Sequence, residues 1–164
     1  CGAMGTGVAL QVSHAPGMEV VFVSDISDEA LARGVANSSH CVAVLFDGHS
    51  IKSELPWLFE GTLPHMNLGT ANGASCDPAL AEQLLAIGQS APGYTAVLNG
   101  RFKGGHITRQ YGNPAQGIHA VQLEMTQCSY MQESWPFDYL PEVAAGVQPH
   151  VWRMLETVLA YVES

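Results

Sequence analysis

Three features of this 164-residue chain predict an α/β fold, a mostly parallel sheet flanked by helices. Short apolar runs of strand length alternate with stretches of helical periodicity. The helical stretches carry capping signals at their starts. With 47% hydrophobic and 13% charged residues, the chain has enough apolar material for the buried core of one domain.

In chain order, "VALQVSH" and "MEVVFVSD" read as short strands, and "SDEALARGVA" reads as a capped helix. "CVAVLFDGHS" is an apolar strand expected to stop at Asp47-Gly48. "PWLFEGTLPHMNLGTANGAS" is rich in Gly, Pro and Asn and is expected to be a long loop, of the kind that gathers around a site. "DPALAEQLLAIGQ" has Asp77 as cap, Pro78 at the first helical position and leucines at helical spacing. "YTAVLN" and "GIHAVQLEM" are further strands, and "VQPHVWRMLETVLAYVE" is a closing amphipathic helix. No internal repeat or linker divides the chain, so residues 1–164 read as one domain.

Charge narrows the partners. Six Lys and Arg stand against 15 Asp and Glu, a net charge of −9, and such a surface repels nucleic acid and anionic membranes. No apolar run approaches the roughly 20 residues that span a bilayer, and the opening residues lack a secretory pattern. Cys1, Cys41, Cys76 and Cys128 are widely spaced without a CxxC pair, which suits reduced thiols and a cytoplasmic setting. Cys128 or Cys76 as the nucleophile of a cysteine hydrolase is a remote reading with no supporting spacing. The sequence does not fix the oligomeric state.

Three places carry candidate chemistry. Asp47 and His49 leave the apolar strand together, an arrangement that suits either a rigid metal ligand with its orienting carboxylate or a plain turn. Glu124 lies on an apolar strand, where a buried carboxylate must meet a cation or have its proton affinity adjusted. Period-two alternation puts His119, Val121, Leu123 and Met125 on one face and Ala120, Gln122 and Glu124 on the other. The third place is "RFKGGHITRQYG", in which Arg101, Lys103 and Arg109 fall within nine residues beside His106. Even spreading would put roughly 0.3 of a basic residue in such a window. Guanidinium groups among glycines suit a small carboxylate ligand; pairing with the surplus acids is the plainer reading.

"LFDGHSIKSELPWLFEGTLPHMNLGTANGASCDPALAEQL" and "YTAVLNGRFKGGHITRQYGNPAQGIHAVQLEMTQCSYM" together resemble the C-terminal half of the N-formylglutamate deformylase (N-formylglutamate amidohydrolase) family. The resemblance runs from about Cys41 to near the C-terminus, which marks residues 1–40 as an atypical or truncated N-terminal part. It implies a three-layer α/β/α fold similar to that of zinc carboxypeptidases. It also implies zinc-dependent hydrolysis of N-formyl-L-glutamate to L-glutamate and formate, the last step of a bacterial histidine-degradation route. Carried onto this sequence, His49 would be a zinc ligand and Asp47 would orient it or assist. Glu124 would move the proton, and Arg101, Lys103, His106 and Arg109 would meet a dianionic substrate. Family members complete the metal site from an early Pro-His motif and a later acidic residue. The nearest counterparts here are His14 in "VSHAPG", whose letters follow a different order, and Asp25 in "VSDISD". The alternatives are an amidohydrolase for another N-acyl amino acid and a metal-poor, inactive fragment.

Overall fold

The computed structural model describes the backbone of Gln11–Val12 and Val20–Val21 and, with side chains, residues 42–163. Those two short segments are strands β1 and β2, paired antiparallel. The expected helix "SDEALARGVA", His14 and Asp25 lie outside the described residues.

The main sheet has four strands: β3 (Ala43–Ile51), β4 (Met66–Gly69), β5 (Ala96–Leu98) and β6 (Ile118–Thr126), in the spatial order β3-β6-β4-β5. β3 pairs with β6 and β4 with β5 in parallel, while β4 runs antiparallel to β6. The mostly parallel expectation therefore holds, with one reversal at the centre. That reversal means the carboxyl ends of β3 and β6 lie opposite those of β4 and β5, and no single edge collects them all.

Helix α1 (Pro78–Ser90) starts as the sequence predicts: the Asp77 side chain accepts from the Ala79 amide, and Pro78 occupies the first turn, where its missing N–H is not needed. Its Leu80, Ala81, Leu84, Ile87 and Gly88 form one buried stripe. Gly88 permits close approach to the sheet, because a Cβ there would sit 2.6 Å from the Ala96 Cβ. The closing helix, α3 (Pro141–Glu163), buries Ala144, Val147, Met154 and Val158. Together α1 and α3 cover the face of the sheet formed by Val44, Phe46, Met66, Leu68, Val121 and Leu123, which is the core. On the opposite face a short helix, α2 (His106–Tyr111), packs Ile107 and Tyr111 against Leu45 and Ala120. Helices thus lie on both sides of the sheet.

Three expectations about elements need correction. β3 continues through Asp47 to Ile51, since pairing with β6 holds it extended. "MNLG" is a fully buried strand inside the expected long loop, hidden by the flanking Pro and Gly residues. α3 starts at Pro141, and Pro149 lies inside it; a proline at that spacing reads from sequence as a first-turn signal. No described helix is long and apolar enough to cross a membrane.

Candidate functional site

The face of the sheet away from α1 and α3 is where polar side chains collect. On β3, Val44 and Phe46 turn toward the core, so Leu45, Asp47 and His49 turn the other way. On β6 the same alternation puts Ala120, Gln122 and Glu124 on that side, as expected. The parallel register sets Asp47 beside Gln122 and His49 beside Glu124.

Asp47 and His49, two residues apart and on one side of the strand, meet directly: His49 Nε2 lies 2.8 Å from Asp47 Oδ1. Asp47 is buried and the His49 side chain is half-exposed. The bond to Asp47 raises the His49 pKa, against a smaller opposing effect of burial, and the charges of Asp47 and Glu124 add to the rise. Asp47 is therefore a strand residue gripping an imidazole, not a turn former.

Glu124 is only 7% exposed. Burial pushes its carboxyl pKa up, and the Asp47 charge adds to this; the neighbouring His49 and a hydrogen bond from Gln122 Nε2 to Glu124 Oε2 (3.2 Å) pull the other way. A buried carboxylate with raised proton affinity, facing an imidazole across one strand pairing, is suited to accepting and returning a proton. Behind it, Asn67 on β4 lies opposite Glu124 and donates to its backbone carbonyl at 3.1 Å, fixing that stretch of strand. Asn67 is a residue the sequence reading missed, because its strand was read as loop.

The basic loop lies on this same face. It leaves β5, is bonded to the turn after β4 through the Ala71 amide and the Lys103 carbonyl and enters α2, and Gly105 comes so close to Gln122 that a Cβ would be 3.2 Å from Oε1. Arg101 is exposed, with one Nη2 contact to the Leu58 carbonyl at 3.2 Å and its guanidinium near the Phe102 ring. Arg109 is exposed and donates to the Gly104 carbonyl at 2.7 Å. Lys103 and His106 are exposed as well, His106 opening α2 with its ring edge-on to Tyr111. Among the described residues no carboxylate forms an ion pair with Arg101, Lys103 or Arg109. The cluster is not neutralised by the acids described around it, and its charge remains available to a ligand.

Among the described residues no group of three or more His, Cys, Asp or Glu side chains is arranged to hold a metal ion. His49 Nε2 faces Asp47, and His14 and Asp25 lie outside the described residues. The described residues by themselves do not fit a complete zinc centre. Cys76 is buried with its pKa pushed up to about 12, mainly by burial, which disfavours the thiolate that a cysteine nucleophile needs.

Residues 28–131 match the model of a protein family described as N-formylglutamate amidohydrolase. A protein named N-formylglutamate deformylase from Pseudomonas aeruginosa is 54% identical over 133 residues, which cover 81% of this chain and 49% of that protein. Another protein of that name, from Pseudomonas putida, is 56% identical over 119 residues, covering 73% of this chain and 45% of its own. The chain spans about half the length of the curated relatives it matches. The crystal structure of N-formylglutamate amidohydrolase from Ralstonia eutropha JMP134 superposes with a TM-score of 0.65 over 82% of this chain and 51% of that one. At 22% identity this is a likeness of fold.

Proposed function

This chain belongs to the N-formylglutamate amidohydrolase family, and on that premise we propose that it hydrolyses N-formyl-L-glutamate to L-glutamate and formate. The observation that carries the proposal is the shared face: buried Glu124 with raised proton affinity beside the Asp47–His49 pair, and exposed cations on the loop and helix that cross the same side of the sheet.

The substrate has two carboxylates and one small formyl group. Two of Arg101, Lys103 and Arg109 take the carboxylates, with His106 at the rim, and a guanidinium fork supplies two parallel hydrogen bonds where it meets one. Glu124 removes a proton from the attacking water and delivers it to the departing nitrogen, so that an amine and not an amide anion leaves. Asp47 holds the imidazole of His49 toward the reacting centre, where a protonated ring stabilises the negative charge growing on the formyl oxygen. Zinc, as the resemblance implies, would need donors beyond His49 and its neighbouring carboxylates, so metal content is measured alongside activity. The reaction would close a histidine-degradation route.

A substrate panel tests the reading: formate or acid release from N-formyl-L-glutamate, N-acetyl-L-glutamate and N-formyl-L-leucine. The proposal expects the first to be strongly preferred. Equal rates on N-formyl-L-leucine would remove the side-chain carboxylate from recognition, and a preference for N-acetyl-L-glutamate would assign the chain to another acyl group.

A further inference from the structure

The segments that follow β4 and β5 are strained and tied together. Ala71, Asn72 and Asn99 have φ of 49°, 57° and 53°, left-handed values that non-glycine residues adopt at a cost and that persist only when the surroundings hold them. Asn99 is what joins the two segments. Its Oδ1 accepts from the Thr70 amide at 2.8 Å and from the Asn72 amide at 3.3 Å, and its Nδ2 donates to Thr70 Oγ1 at 2.8 Å. Its own backbone N–H donates to the Leu68 carbonyl at 2.7 Å. Thr70 Oγ1 in turn accepts from the Gly73 amide at 3.2 Å, closing the turn.

From this turn the contacts continue into the basic loop. The Ala71 amide donates to the Lys103 carbonyl at 2.6 Å. Gly69 and Gly104 are in such close contact that a Cβ on Gly69 would lie 2.3 Å from the Gly104 nitrogen. The Gly104 carbonyl then accepts from Arg109 Nη1 at 2.7 Å. Arg101 lies two residues beyond Asn99. A single amide side chain thus fixes the turn on which both ends of the cation cluster are mounted.

We propose that Asn99 is the positioning residue of the anion-binding loop: by gripping Thr70 and Asn72 it holds residues 100–105 against the turn and sets where Arg101 and Arg109 present their charge. The inference rests on the reading of that loop as the binder of the substrate's carboxylates. Asn99 touches no reacting atom; its effect passes through the turn, so it governs substrate affinity and leaves the proton transfer at Glu124 intact.

Two variants separate the amide from the backbone conformation. Asn99→Gly adopts positive φ freely and deletes the grip. Asn99→Asp keeps the acceptor for both amides, and the Thr70 hydroxyl can turn to donate to it. Hydrogen exchange of residues 70–73 and 100–105 is measured with KM and kcat for formate release. For Asn99→Gly, exchange in both segments is expected to speed up about tenfold and KM to rise about tenfold, with kcat within about twofold; Asn99→Asp is expected to restore protection. Unchanged exchange in Asn99→Gly, or a fall in kcat at constant KM, overturns the proposal. If the wild-type chain releases no formate, the functional reading fails while the exchange result still decides whether Asn99 fixes the loop.

Discussion

Replacing Glu124 by Gln separates catalysis from stability, because the two effects have opposite signs. Gln has nearly the shape of Glu, fits the same buried place on β6 and keeps an acceptor for the hydrogen bond from Gln122. What disappears is the ability to take a proton. Loss of a positioned general base costs about 100- to 10,000-fold in turnover, or about 3–5 kcal/mol of barrier. The stability effect follows from the raised pKa, whose largest cause is burial. A carboxyl group with a raised folded-state pKa holds its proton longer in the folded chain than in the unfolded one. It therefore destabilises the fold as pH rises through that value. Glu124→Gln is expected to melt no lower than wild type at neutral pH and to lose that part of the pH dependence. Formate release at saturating N-formyl-L-glutamate and thermal melts across the acid-to-neutral range measure both. Turnover within about tenfold of wild type would refute the base assignment. A Tm fall of more than about 4 °C, corresponding to about 1 kcal/mol or more in a chain of this size, would show that the ionised carboxylate supports the fold.

The other predictions concern the loop, the core and the helix anchors. Arg109→Ala is expected to raise KM for N-formyl-L-glutamate by about 10- to 100-fold, the effect of losing a charged hydrogen bond, while a neutral formamide is cleaved as before; equal losses on both would remove Arg109 from carboxylate binding. Leu84→Ala empties a fully buried position between α1 and the sheet and should cost about 2–5 kcal/mol in urea unfolding. Tyr161→Phe removes the hydroxyl that donates to Asp77 Oδ2 at 2.7 Å, joining α3 to the cap of α1, and should cost about 1 kcal/mol. Behind that anchor, burial lowers the pKa of His119, so the contribution of His119 to folding stability should be complete above pH 6.5 and decline as pH falls from there through the lowered folded value. Urea melts of wild type and His119→Gln should diverge in that window, and parallel curves would contradict the assignment.

The parts of this fold that were legible in the sequence are those with strong local signals. α1 carries its cap, its first-turn proline and its leucine stripe within 13 residues, and β6 shows which side chains share a face by alternation alone. β4 was illegible because its four residues sit between Pro64 and a Gly-rich turn, and only pairing to β6 and β5 makes them a strand. The reversal of β4 against β6 is likewise a tertiary fact with no local signature. In the site, the pairing of His49 with Glu124 needed the register of β3 on β6. Asn99 was passed over because an asparagine before glycine reads as an ordinary turn residue, and its three contacts reach back about 30 positions in the chain, beyond any local pattern.

The most direct test of the whole account is formate release from N-formyl-L-glutamate by the purified chain, with bound metal quantified and the assay repeated with added zinc. The account predicts formate and L-glutamate in equal amounts, with turnover that Glu124→Gln removes. No formate with or without zinc would contradict it.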